Sequence, residues 1–135
     1  MNAHHFGVTV ADLGRAVEFY RDVLGLDVID RFTVSGEGFS VAVGIENATG
    51  NFVHLDAGDG RIELVEYDPA GRAHTDDVNQ PGTKHVGLAV EDIEEFYRGL
   101  PEGVETRSQP RTTESGARIL FVRDPEGNLV EMIEA

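Results

Sequence analysis

One eight-residue pattern occurs twice in this chain, and it limits the possible folds more than anything else in the sequence. Residues 5–12 read His5-Phe6-Gly7-Val8-Thr9-Val10-Ala11-Asp12, and residues 85–92 read His85-Val86-Gly87-Leu88-Ala89-Val90-Glu91-Asp92. Both follow His-x-Gly-x-x-Val-x-Asp. A second element repeats as well: Ile62-Glu63-Leu64-Val65-Glu66 resembles Val130-Glu131-Met132-Ile133-Glu134. A chain of 135 residues is the size of one compact domain. The duplication makes it a domain of two similar halves, each running from a His to a Glu.

The first half reads as strand, helix, then three or four strands. Alternation over residues 4–10 sets Phe6, Val8 and Val10 on one side, as core, and His5, Gly7 and Thr9 on the other. The second set is small or polar apart from the His, as a face lining a cavity would be. Asp12 caps a helix whose apolar stripe is Leu13, Ala16, Val17, Tyr20 and Leu24, with Gly25 as its C-terminal stop. Strands are expected over 26–34 and 39–46. A hairpin follows, 51–56 and 60–67, turning at Gly58-Asp59-Gly60.

Residues 68–83 are polar and contain Pro69, Gly71, Pro81 and Gly82, which suits a linker. The expected organisation is therefore an N-terminal module over 1–67, a linker over 68–83 and a C-terminal module over 84–135. In the second half a strand covers 84–90. Asp92 and Glu95 form a capping box for a helix ending near Leu100. Strands follow over 103–108, 117–123 and 128–134.

The repeated His and Glu positions are candidate metal ligands. A single His on a strand is more often structural, but His5 and His85 open their halves at the same pattern position. Glu63 and Glu131 lie on late strands, each between apolar neighbours, so each carboxylate faces away from the hydrophobic layer. If the halves are related by a two-fold axis, the two His–Glu pairs converge. Two imidazoles and two carboxylates suit one divalent ion, whether Ni, Co, Zn, Mn or Fe. Such an ion keeps positions open for a chelating substrate. His4 is the rival of His5 but would point toward the Phe6 side. His54 and His74 have no counterpart in the other half and are read as non-ligands. Glu66 and Glu134 lie on the wrong face and read as solvated charge. Arg111, Arg118 and Arg123 are candidates to meet an anionic substrate, although salt-bridged or solvated Arg is the simpler account.

Composition removes other classes. Cysteine is absent, which excludes thiol catalysis and cysteine-held metals. The formal net charge of -14 argues against nucleic acid as a partner. No apolar stretch has membrane-spanning length and no signal peptide is visible, so a cytoplasmic protein is expected. Lys84 is the single lysine beside ten arginines. An acidic, lysine-poor surface suits high salt, where ions screen self-repulsion, and points to a halophilic source.

At these residues the chain resembles the vicinal oxygen chelate superfamily, which includes glyoxalase I, acyl-CoA epimerases, extradiol dioxygenases and drug-resistance proteins. The resemblance covers nearly the whole chain. It is carried by His5-x-Gly-x-x-Val-x-Asp12, Phe19-Tyr20-x-x-Val-Leu-Gly25, Ile62-Glu63-Leu64, His85-x-Gly-x-x-Val and Asp124-Pro125-x-Gly127-Asn128-x-x-Glu131. It implies an α+β fold of two βαβββ modules whose curled mixed sheets surround a metal. The ligands carried over are His5, Glu63, His85 and Glu131, the set that the repeat selects. Glu63 is the form found in glyoxalase I, whereas the CoA epimerases more often carry Gln there.

The expected activity is accordingly a metal-dependent lyase or isomerase of glyoxalase I type (lactoylglutathione lyase-like). It would transfer a proton through a metal-chelated enediolate, with Glu131 or Glu63 as the catalytic base and a small 2-oxo or hydroxy thiol adduct as substrate. The alternatives are a methylmalonyl-CoA-type or sugar epimerase, an extradiol-type dioxygenase, and a non-catalytic drug-binding protein. The resemblance also implies a homodimer, while charge and the lack of a spanning stretch leave neither nucleic acid nor membrane as an expected partner.

Overall fold

A computed structural model describes residues 1–73 and 77–135. It divides into two compact units, Met1–Ala73 and His74–Ala135. In the first unit the order is β1 (Phe6–Thr9), α1 (Leu13–Glu18), β2 (Val28–Ser35), α2 (Glu37–Val43), β3 (Thr49–Asp56) and β4 (Arg61–Asp68). A wider π-helical segment, Phe19–Val23, extends α1. The four strands form one mixed sheet in the order β1-β4-β3-β2, with only the β1–β4 pair parallel.

The second unit repeats this plan. Strands β5 (Val86–Ala89), β6 (Arg111–Thr112), β7 (Arg118–Arg123) and β8 (Leu129–Glu134) form a sheet in the order β5-β8-β7-β6, again with its first pair parallel. Its helix is α3 (Ile93–Arg98). The α+β class and the duplicated mixed sheets agree with the sequence expectation. Neither sheet is closed, and no helix of the described residues is long and apolar enough to cross a membrane.

The helix starts follow the duplicated motif. Asp12 is extended, at φ -130° and ψ 97°, and its carboxylate accepts from the Arg15 N–H at 3.0 Å. Asp92 has the same conformation and accepts from the Glu95 N–H at 2.9 Å. Each cap satisfies an N–H that the helix itself leaves without a partner. Ala16 and Val17 of α1 and Phe19 and Tyr20 of its extension are buried, as are Leu55, Ile62 and Leu64 of the hairpin. In the second unit Ile93, Leu120, Val122, Val130 and Met132 play that part. Gly25 takes the left-handed conformation, φ 74°, that ends the first helical segment.

Four expectations are corrected. Residues 39–46 are not a strand, because α2 occupies Glu37–Val43. Phe39, Val41 and Val43 alternate as a strand would, but Gly44 adopts the left-handed C-cap, φ 72° and ψ 25°, and closes a helix. Residues 103–108 form no strand either. They lie along β7 through one bridge, Thr106 to Val122, and through the Arg107 N–H to Phe121 and Arg123 N–H to Glu105 hydrogen bonds. The short strand β6 comes after Pro110 instead. Phe6 is not core: it is 57% exposed, since β1 is an edge strand, and full burial comes only at Val10, just past its end.

The fourth correction concerns Glu66 and Glu134. Both do face away from the candidate ligands, but neither is merely solvated. Each carboxylate accepts the first N–H of its unit's helix, Leu13 for Glu66 and Ile93 for Glu134, both at 2.8 Å.

Candidate metal centre

In the first unit the strand register sets three residues side by side. Gly7 of β1 pairs with Glu63 of β4, and Glu63 pairs with His54 of β3. His5 immediately precedes β1, and its ring lies on the Gly7 side, 4.0 Å from where a Cβ of Gly7 would stand. Its Nε2 stands 3.5 Å from Glu63 Oε1. The other carboxylate oxygen, Oε2, is 2.7 Å from His54 Nε2.

Gly7 has a clear part in this. A Cβ at that position would lie 3.9 Å from Glu63 Oε1 and 4.0 Å from the His5 ring, so any longer side chain would cover the carboxylate. The second unit is built alike. Gly87 pairs with Glu131, a Cβ at Gly87 would stand 3.9 Å from Glu131 Oε2, and His85 Nε2 lies 3.2 Å from that oxygen. The duplicated His-x-Gly is thus a His beside an uncovered Glu, once in each sheet.

The donor spacing fits a divalent ion. Two ligands each about 2.1 Å from one ion stand about 3.0 Å apart at a right angle and about 3.4 Å apart at a tetrahedral one. The His5–Glu63 and His85–Glu131 separations, 3.5 and 3.2 Å, match that range. Both pairs are reachable from solvent: the His side chains are 37% and 40% exposed. The structure therefore joins the four expected residues as two pairs. Among the described residues, no group of three or more His, Cys, Asp or Glu is gathered as a complete metal cage.

The remaining candidates are placed as follows. His4 does not turn toward the Phe6 side. Its Nδ1 is 2.8 Å from that of His5, and its ring centroid lies 6.3 Å from that of His54. Strand β1 begins at Phe6, so alternation does not extend back to residue 4. His74 lies outside the described residues. His54, set aside for want of a repeat partner, is 4% exposed and touches the Glu63 carboxylate at 2.7 Å.

A search by repeat cannot find His54, because the equivalent place beside Glu131 is held by Phe121. Hairpin register could have found it. Counting back from the turn pairs Asp56 with Arg61, Leu55 with Ile62, and His54 with Glu63.

Arg118 is engaged with Glu94 of α3, and Arg123 Nη1 donates to the Gly127 carbonyl at 2.8 Å. Arg111 lies exposed on β6. A cleft of about 540 Å³ opens beside α2, lined by Ser35, Glu37, Ser40, Val41 and Ile45 among others. It contains none of the His or Glu of the two pairs, and no imidazole. The donor chemistry therefore favours the pairs over the cleft as the reactive centre.

Comparison with known proteins agrees with this architecture. The family model described as Glyoxalase/Bleomycin resistance protein/Dioxygenase superfamily matches residues 2–132. A lactoylglutathione lyase of Arabidopsis thaliana is 26% identical over 96% of the chain, which spans only 43% of that relative's length. A 2-epi-5-epi-valiolone epimerase from an Actinomyces species is 28% identical over 96% of the chain and 77% of its own length. Among solved structures, a glyoxalase family protein from Bacillus cereus superposes with a TM-score of 0.87 at 27% identity, covering 99% of this chain and 93% of that one.

Proposed function

The chain belongs to the glyoxalase/bleomycin resistance protein/dioxygenase superfamily, and from that premise we propose that it is a divalent-metal-dependent lyase or isomerase of the glyoxalase I type. Its substrate class is a small 2-oxo or hydroxy compound joined to a thiol. The observation that supports this most is the repeated register, Gly7 beside Glu63 and Gly87 beside Glu131, with His5 and His85 against those carboxylates. A drug-binding protein without chemistry has no use for two such pairs. Likeness to the plant lyase adds support.

His5, Glu63, His85 and Glu131 would hold the ion. When bound, it supplies Lewis acidity to a chelated substrate oxygen, a contribution of several kcal/mol to the barrier. The chain's own residues do the rest. The imidazoles of His5 and His85, each just before the edge strand of its sheet, would be the ion's nitrogen donors. A carboxylate takes the proton from the carbon next to the carbonyl and returns it to the neighbouring carbon. Glu131 is the better placed for that task. Its hydrogen-bond partner is His85, whereas Glu63 is held by His54 as well. A positioned base of this kind contributes about 10²–10⁴ in rate.

An ion of this class takes four to six ligands, and each half offers two. The site is then completed where two His–Glu pairs meet, within one chain or between two copies in a homodimer. Metal content measured beside solution mass tests this, with one ion expected for every two pairs. Folded protein that takes up no divalent ion sinks the reading.

A second reading, an epimerase, is favoured by the likeness to the Actinomyces enzyme. The same proton removal would occur, with return to the opposite face of the same carbon. Assays of methylglyoxal with a panel of thiols, set against racemic acyl-CoA and sugar epimers, separate the two.

A further inference from the structure

His54 has no place in the duplicated ligand pattern, yet it is among the most buried polar residues, at 4% exposure. It is also bonded on both sides. Its Nδ1 lies 3.3 Å from Arg61 Nη1, and its Nε2 lies 2.7 Å from Glu63 Oε2. A guanidinium only donates. The Nδ1 facing Arg61 must therefore be the bare, accepting nitrogen, which leaves the ring proton on Nε2, aimed at the Glu63 carboxylate. Phe32 closes the site edge-on against the imidazole, with ring centroids 5.1 Å apart.

The distances separate two kinds of contact at Glu63. The 2.7 Å between His54 Nε2 and Oε2 is a short charge-assisted hydrogen bond, tighter than two ligands of one ion normally approach. The 3.5 Å between His5 Nε2 and Oε1 is long for a hydrogen bond and right for co-ligation. One carboxylate oxygen is thus tied down and the other is presented. In the second half the residue paired with Glu131 is Phe121, which cannot donate, and its ring rests against His85 at 5.3 Å.

We propose that His54 is a positioning residue: Arg61 sets its tautomer, and its Nε2–H holds Glu63 Oε2 so that Oε1 is turned toward His5 and the ion, whereas Glu131, with Phe121 beside it, has His85 but no such second donor. The inference rests on the metal reading of the four ligands given above. Partners of this sort commonly contribute 10- to 100-fold in metal affinity.

The test uses two variants and two readouts. His54→Phe copies the arrangement at Phe121 and removes the donor. His54→Gln keeps an amide N–H near the place of Nε2. Titration of the metal-free protein with Ni²⁺, Co²⁺ and Zn²⁺ should show His54→Phe weakened 10- to 100-fold, with most of the loss recovered in His54→Gln. Independently, imidazole ¹H–¹⁵N correlations of the metal-free wild type should show His54 protonated on Nε2 alone, and Arg61→Met should loosen that preference.

Equal affinity of His54→Phe and wild type, or a His54 ring protonated on Nδ1, overturns the positioning role. A His54→Gln variant as weak as His54→Phe would make the imidazole a ligand in its own right, which also overturns it. Wild-type protein that binds none of the three ions overturns the ligand reading itself and the role derived from it. That result is told apart from the others by the wild-type titration alone.

Discussion

The Glu66 carboxylate accepts the backbone N–H of Leu13 at 2.8 Å, across fifty-three residues of sequence. Strand β1 ends beside Val65, with the Val10 N–H bonded to the Val65 carbonyl at 2.8 Å, so Glu66 falls under the first turn of α1. Glu134 and Ile93 repeat this relationship in the second unit. The contact fastens a late strand to the start of an early helix and places negative charge at the helix end that favours it. Replacing Glu66 with Ala should therefore destabilise the protein by about 1–2 kcal/mol, in the range of a lost cap or a charged hydrogen bond. Glu66→Gln, which keeps an acceptor, should cost less. Urea unfolding of both variants checks this, and a Glu66→Ala midpoint equal to wild type would show the contact to be idle.

The glycines of the duplicated motif lead to a second expectation. Gly7 and Gly87 lie on extended strands where any residue can adopt the backbone conformation, and a Cβ would meet only ordinary van der Waals distances. Gly7→Ala should therefore fold and bind metal nearly as wild type does. Gly7→Leu should fold but place its branch over Glu63 and lower divalent-ion affinity at least about tenfold, the scale of disturbing a ligand's surroundings. Circular dichroism and metal titration read the two effects separately. Undiminished affinity in Gly7→Leu would mean that the open space over Glu63 is incidental.

What the sequence made legible follows from what repetition can carry. The duplicated octet marked the first strand and helix cap of each half, because Asp12 and Asp92 use local chemistry that leaves a local trace. The Glu63 and Glu131 faces were legible from alternation. The misread parts depend on partners distant in sequence. Residues 37–43 have strand-like alternation and become helical because the glycines on either side supply the turns. Glu66 and Glu134 looked solvated because the N–H groups they bind belong to helices far back in the chain. His54 was missed since the two halves differ there, and a comparison of halves reports only what they share. The hairpin register contained that information, and it identifies the residue in contact with a candidate ligand.

The two carboxylates should respond differently to neutralisation. Glu131→Gln keeps size and one acceptor oxygen but cannot take a proton, so turnover should fall about 10²- to 10⁴-fold, the scale of a lost general base. Fold and thermal midpoint should be unchanged, since Glu131 is only partly buried. Glu63→Gln should lose metal affinity to a greater degree than Glu131→Gln, because Glu63 is the carboxylate held in place from both sides. Steady-state kinetics under saturating metal, paired with metal titration, distinguish the two. Full activity in Glu131→Gln would remove it as the base.

The acidic surface yields a prediction independent of the metal. With 25 acidic against 11 basic residues, the folded chain concentrates a net charge of -14 that the expanded chain can spread apart. Raising monovalent salt from about 0.1 M to about 1 M shortens the screening length from roughly 10 Å to 3 Å and weakens that repulsion. The thermal midpoint should rise by at least ~3 °C, about 1 kcal/mol for a chain of this size. A variant with exposed Glu46, Asp59 and Glu102 changed to their amides should be stabler at low salt and gain less from added salt. Should the wild type melt at one temperature across the whole salt range, the composition would reflect something other than charge balance, and the halophilic expectation would fall with it.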